Sequence, residues 1–236
     1  MFFLLNMNWI LIAAAVIPAI VLLVMVYRTD RLEKESRGLL LKLVGMGILS
    51  ALIALVLEKI GTLVLDRCFS YPNTLYYVLT YFVVVALSEE GAKYFLMNRM
   101  TWRNPEFNCQ YDGIVYAVFV SLGFALWENI QYVLAFGFQT ALVRAVTAIP
   151  GHACFGVFMG VWYGLAKRME RRGQAGGVTI CRCLCLVFPV LLHGTYDYIA
   201  VVNMDGGSLY FFAFILVMFG LAFWMVRRAS RKDTYI

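Results

Sequence analysis

The sequence predicts an all-α fold, a polytopic bundle of about seven transmembrane helices. Three observations carry this. Of 236 residues, 62% are hydrophobic and only 14% charged, with a mean hydropathy of +0.78, whereas soluble domains run nearer half apolar and a quarter charged. The apolar residues gather into runs of about 20, the length that crosses a bilayer as a helix. The basic residues occupy alternate gaps between those runs. No long polar stretch divides the chain, so residues 1–236 read as a single membrane-embedded domain.

Seven spans follow in order: about 9–27, 39–65, 74–97, 113–136, 141–165, 183–202 and 208–226. The first lacks a basic segment before it and reads as a retained span rather than a signal peptide. The gap at 28–38 carries Arg28, Arg31, Lys34 and Arg37, and the gap at 98–110 carries Arg99 and Arg103. The gap at 166–182 carries Lys167, Arg168, Arg171, Arg172 and Arg182, and the tail adds Arg227, Arg228, Arg231 and Lys232. The gaps between these hold at most Arg67. The positive-inside rule therefore predicts an N-terminus outside and a C-terminus in the cytoplasm, as an odd number of spans requires. The net charge of +6 is thus spent on loops facing anionic lipid, and no nucleic-acid partner is expected. The six cysteines include no C-x-x-C pair and are expected to be reduced apolar filler. Lys42, Glu58 and Lys59 lie near the ends of the second span, where they are expected to reach the membrane interfaces.

The functional candidates are the ionisable residues inside apolar runs, since such groups are costly in lipid and usually face a water-filled interior. They are Glu89 and Glu90 in LSEEGAKYF, Glu128 in ALWENIQ, His152 in IPGHACFG, and His193 with Asp197 in LLHGTYDY. Lys93 follows Glu89 by four residues and Glu90 by three, so it shares a helix face with a carboxylate. Because adjacent residues point about 100° apart on a helix, Lys93 is expected to pair well with only one glutamate, leaving the other as a general base. Asp197 stands at i+4 from His193 and can orient the ring. Asn129 adjoins Glu128, for which Arg144 is a structural partner within reach. Gly151, Gly156 and Gly194 beside the histidines permit close backbone approach or leave room for a substrate strand.

These residues also form a pattern. SEEGAKYF resembles the E-E-x-x-K-x-F signature of PrsW-type intramembrane proteases. Phe124 to Asn129 resembles that family's F-x-x-x-E-N segment, His152 to Gly156 its H-x-x-x-G, and His193 to Asp197 its H-x-x-x-D. The four occur in the family's order, within a motif-bearing core at about 74–202. The resemblance implies a protease of the bacterial cell membrane that performs site-1 cleavage of a single-span anti-sigma factor. It implies catalytic roles for Glu89, Glu90, His152 and His193, supported by Lys93, Asn129 and Asp197. The family is distantly similar to CAAX prenyl endopeptidases and is classed among metallopeptidases.

Two mechanisms remain open from the residues. In one, Glu128, His152 and His193 hold a divalent metal, zinc first by donor type. In the other, imidazole N–H groups stabilise the oxyanion without metal. Either glutamate can take the proton from water, with Glu89 the first choice. A transporter or proton pathway would use the same residue types, though no inverted repeat is visible; a non-catalytic scaffold is the third reading. One expectation conflicts with convergence. In straight helices Glu89 lies ~22 Å from the outer start of its span and Glu128 ~22 Å from the inner start of its own, so they would miss each other by more than ~10 Å across a ~30 Å core.

Overall fold

The computed structural model describes residues 2–202 and 207–236, with side chains from 9–202 and 209–236. Seven stretches among them are long and apolar enough to cross a membrane: Trp9–Thr29, Arg37–Cys68, Thr74–Thr101, Asp112–Phe136, Phe138–Arg171, Ala175–Val202 and Leu209–Arg231. Each matches an expected span and most extend beyond it. The expected loop at 203–207 lies almost wholly outside the described residues.

The elements are α1 (Phe2–Thr29), α2 (Arg37–Cys68), α3 (Thr74–Val78), a π-helical stretch (Leu79–Ala86), α4 (Leu87–Thr101), α5 (Asp112–Phe136), α6 (Phe138–Val146), α7 (Ala148–Arg171), α8 (Ala175–Val202) and α9 (Gly207–Arg231). Local chemistry sets several boundaries. Ser36 Oγ accepts from Leu39 N–H and caps α2, and Asn73 Oδ1 accepts from Tyr76 N–H and caps α3. Gly137, at φ +86°, separates α5 from α6 in a conformation that a side chain would strain. The fifth span is not one clean helix: it breaks at Thr147, and α6 and α7 together cover it.

The bundle is organised about α5, which is buried continuously from Asp112 to Ala125. Lipid offers no hydrophobic gain for helix association, so close backbone approach must supply the packing. Glycine makes it possible. A Cβ on Gly160 would sit 2.4 Å from Ile114 Cα, fixing α7 against α5; one on Gly47 would sit 2.1 Å from the Val120 carbonyl oxygen, fixing α2 against α5. The outer helices keep large apolar side chains at the surface, among them Trp9, Leu63, Phe95 and Leu216, each at least 61% exposed, as a lipid-facing surface demands.

Candidate active site

The site begins with a widened helix. The π-helical stretch immediately precedes Leu87, and π turns often occur at functional sites. It carries Phe82, whose ring lies where a Cβ on Gly194 would come within 2.5 Å. Gly194 thus lets α8 close on this stretch and brings the preceding His193 opposite Glu89 and Glu90. Gly156 performs the same service on α7, where a Cβ would meet Val118 Cα at 2.9 Å. Only Gly151 leaves ordinary space, its nearest neighbour being Tyr196 at 3.6 Å.

At the centre, Lys93 Nζ donates to Glu90 Oε1 at 2.7 Å and to Glu89 Oε2 at 3.1 Å, and lies 3.3 Å from His152 Nδ1. Lys93 therefore serves both glutamates, correcting the expectation that it could pair well with only one. Adjacent carboxylates do leave the helix in different directions, but a long lysine chain ending between them reaches each. The ammonium also lies 3.8 Å from the centroid of the Phe124 ring, a cation–π contact that closes its apolar side. Both Lys93 and Glu90 have no exposed surface.

Two imidazoles extend this core. His193 Nδ1 is 2.9 Å from Glu90 Oε1, while its Nε2 lies 3.4 Å from Asp197 Oδ2 and 3.9 Å from Glu89 Oε2. His152 Nε2 is 2.9 Å from Glu128 Oε2. Arg144 Nη2 donates to that same oxygen at 2.7 Å and Arg144 Nε to Asn129 Oδ1 at 2.8 Å, while Asn129 Nδ2 donates to the Ala15 carbonyl. Asn129 thereby holds Arg144 and ties the site to α1. The structural Glu128–Arg144 pair and the His152 contact coexist on one carboxylate oxygen.

These groups face a cavity of about 350 Å³ lined by Glu89, Glu128, His152, His193, Asp197 and Arg144 among others. Glu58 also lines it, where an interfacial position was expected. A carboxylate in the apolar second span was visible in the sequence; its nearness to the span's end concealed its role, because α2 continues to Cys68. Tyr81, Tyr132 and Tyr196 complete much of the wall, and nothing in their spacing distinguishes them from interface or packing aromatics.

The expected depth conflict between Glu89 and Glu128 dissolves in the structure. Measured from the basic end, Glu89 lies 12 residues from Thr101 and Glu128 lies 16 from Asp112, or ~18 Å and ~24 Å along straight helices. The remaining ~6 Å is spanned by Lys93 and the His152 ring. The expectation assumed a third span that fits a ~30 Å core, whereas it runs 28 residues from Thr74 to Thr101, ~42 Å of helix. Glu128 is also only eight residues from the far end of α5, Phe136, so the cavity sits nearer the end of the bundle that lacks basic loops.

Fold and site together define a polytopic membrane protein that collects acid–base and metal-ligating groups inside its bundle, the equipment of an intramembrane hydrolase. The chain belongs to the PrsW family: residues 35–225 match the family described as PrsW family intramembrane metalloprotease. It is 33% identical over 223 residues to a protein named Protease PrsW from Halalkalibacterium halodurans, covering 94% of this chain and 98% of the relative. It is similar to those of the same name from Bacillus subtilis, at 33% identity covering 80% and 82%, and Clostridioides difficile, at 27% identity covering 86% and 84%. No solved structure matches the chain. It is accordingly a peptidase and a multi-pass protein of a bacterial membrane.

Membership in a metalloprotease family implies a metal, and the residues present suit one. Glu89, Glu90 and His152 offer donor atoms all within 4.8 Å of one another, and imidazole and carboxylate are zinc ligands. Their centre already holds a cation, the Lys93 ammonium. Glu90 Oε2 is buried without a hydrogen-bond partner, so the nest retains acceptor capacity. Glu128 and His193, expected to share the metal with His152, are not in this trio; they line the cavity together with Glu89 and His152.

Proposed function

We propose that this chain hydrolyses a peptide bond of a single-span anti-sigma factor, as the first cut of a stress response, on the outer side of the cytoplasmic membrane. The observation that carries the reading is Glu89: it lines the cavity beside His152, while Glu90 and Lys93, with no exposed surface, stand behind it. A carboxylate so situated can accept a proton from water and return it to the leaving amine. Lys93 offsets the charge of the carboxylate pair. Glu90, 2.9 Å from His193 Nδ1, fixes that ring so that Nε2 points toward Glu89 and Asp197, the carboxylate–histidine arrangement that orients metal ligands elsewhere.

A divalent metal, zinc by donor type, would be held by His152 with Glu128 and His193 at the cavity, leaving Glu89 of the tighter Glu89–Glu90–His152 group free to act as base, and would polarise the scissile carbonyl and acidify water. For His152 Nε2 to present a lone pair, its proton must sit on Nδ1, so Lys93 must turn away from that nitrogen. Arg144 and Asn129 keep Glu128 in position. The basic gaps support an N-terminus outside and a C-terminus in the cytoplasm, and the cavity's nearness to the opposite end supports an extracytoplasmic cut.

The test is co-expression with a tagged single-span anti-sigma factor. Cleavage by the native chain, lost in a Glu89→Ala plus Glu90→Ala variant of equal abundance, is expected; persistence in that variant overturns the reading. Metal analysis of purified protein should give about one zinc per chain, reduced in His152→Ala and His193→Ala. Reporter fusions after residues 35, 105 and 172 should all report cytoplasm.

A further inference from the structure

Away from the cavity, the basic ends of α1 and α9 enclose a second pocket. Its volume is about 350 Å³, and its walls are Arg28, Arg31, Arg227 and Arg231 with Thr29 and Ser230. No acidic residue lines it. None of the four guanidinium groups forms an ion pair or donates a hydrogen bond to protein among the described residues, although each carries five N–H donors. Ser230 Oγ donates to the Thr29 carbonyl at 2.5 Å, tying the two helix ends together at the floor.

The pocket adjoins an apolar groove of about 370 Å³, with Thr29 and Arg227 in the walls of both. The groove runs between α1, α7 and α9, lined by Leu22, Val26, Ala153, Val157, Phe219 and Phe223 among others. From Arg227 to Phe219 is eight residues along α9, ~12 Å, so the groove descends well into the hydrocarbon. It faces lipid: Met25 and Phe223 on its walls are 51% and 53% exposed. Arg227 lies over Phe223, its guanidinium carbon 4.4 Å from the ring centroid, joining the charged pocket to the apolar wall.

We propose that this paired feature is a binding site for one anionic diacyl phospholipid, its phosphate among the four arginines and one acyl chain along the groove. Charge complementarity selects the anion, since guanidinium matches phosphate geometry. Basic pockets between membrane helices on the cytoplasmic side are the usual seat of such head groups. Continuity with a lipid-facing groove selects a lipid over a soluble anion. The bound lipid would cement α1 to α9 on the side of the bundle away from the catalytic cavity.

The experiment is native mass spectrometry of detergent-purified full-length chain with dioleoylphosphatidylglycerol, dioleoylphosphatidylcholine and chain-free glycerophosphoglycerol. One retained phosphatidylglycerol is expected, bound at least about fivefold more tightly than phosphatidylcholine, with no binding of the chain-free head group. Arg28→Gln and Arg227→Gln should each weaken binding about fivefold with unchanged helicity and detergent-solution Tm. Ala153→Phe, which fills the groove, should abolish binding while leaving all four arginines. If that variant fails to fold, the head-group comparison and the two arginine variants decide. Equal affinity for the two lipids, equal binding of the chain-free head group, or no change in the arginine variants overturns the proposal.

Discussion

The molecule buries two groups of acidic side chains and neutralises them differently. Around the intramembrane cavity, Glu89, Glu90 and Glu128 meet Lys93, Arg144 and two imidazoles at 2.7–3.9 Å. At the basic end of the bundle, Asp30, Glu35, Asp112 and Asp233 gather where the α1–α2 link, the α4–α5 link and the C-terminal tail meet. No cation lies within 4 Å of those four carboxylates among the described residues. Backbone amides serve some of them: Asp112 Oδ2 accepts from Asn108 and Cys109 N–H, and Asp233 Oδ1 from Tyr111 and Thr234 N–H. Protons serve others. Burial, opposed by nearby Lys34, pushes the Asp30 carboxyl up to about 6, and burial with Asp112 beside it pushes Glu35 up to about 9. Both Asp30 oxygens and Glu35 Oε2 are buried without partners. The contrast separates a centre whose carboxylates are met by cations from one whose acids rely on backbone amides and on burial that raises their proton affinity, Glu35 most of all.

The largest effect should come from Glu89. Glu89→Gln keeps the size and the Lys93 contact but removes proton acceptance, so turnover in a reconstituted cleavage assay is expected to fall about 10²–10⁴-fold. Near-native turnover in both Glu89→Gln and Glu90→Gln would remove the glutamate base from the mechanism.

Lys93→Met tests whether the cavity depends on its counter-ion. Removing one partner of a buried pair typically costs about 3–5 kcal/mol. Detergent-extracted yield and Tm should therefore collapse, and Lys93→Arg should recover part of both. An unaltered Tm in Lys93→Met would mean that the carboxylate pair needs no such compensation.

Glu90→Gln should act more gently, through His193. Its expected loss is about 10–100-fold in cleavage or metal content, the usual worth of a group that orients a ligand. A loss as deep as that of Glu89→Gln would exchange the two roles.

The smallest effect belongs to the other cluster. Because the folded-state value of Glu35 lies above its ordinary 4.5, the folded chain holds this proton more tightly. The stabilisation is complete below pH 4.5 and disappears as pH rises through about 9. Glu35→Gln is therefore expected to lessen the decline in Tm between pH 5 and 9 by on the order of 2–4 °C, leaving cleavage at neutral pH unchanged. A decline identical to the native chain's would show that Glu35 is ionised in the fold.

Much of this was legible in the chain. Apolar run length and the alternation of basic gaps determine seven spans, because hydrocarbon excludes unpaired backbone and charge. The same exclusion makes each intramembrane Glu, His and Asp conspicuous, so the catalytic candidates could be named one by one. Their meeting could not be derived from span positions. Straight helices of equal depth separate Glu89 from Glu128. The π-helical stretch, glycine contacts at Gly156 and Gly194, and a third span that runs on to Thr101, past its expected end at 97, bring them into one network. The sharing of Lys93 between two glutamates, and Glu58 at the cavity wall, likewise depend on side-chain reach and helix rotation. Sequence determined which groups must find polar company inside the membrane; only tertiary structure decided which company each keeps, because that choice turns on ångström-scale helix contacts between residues far apart in the chain.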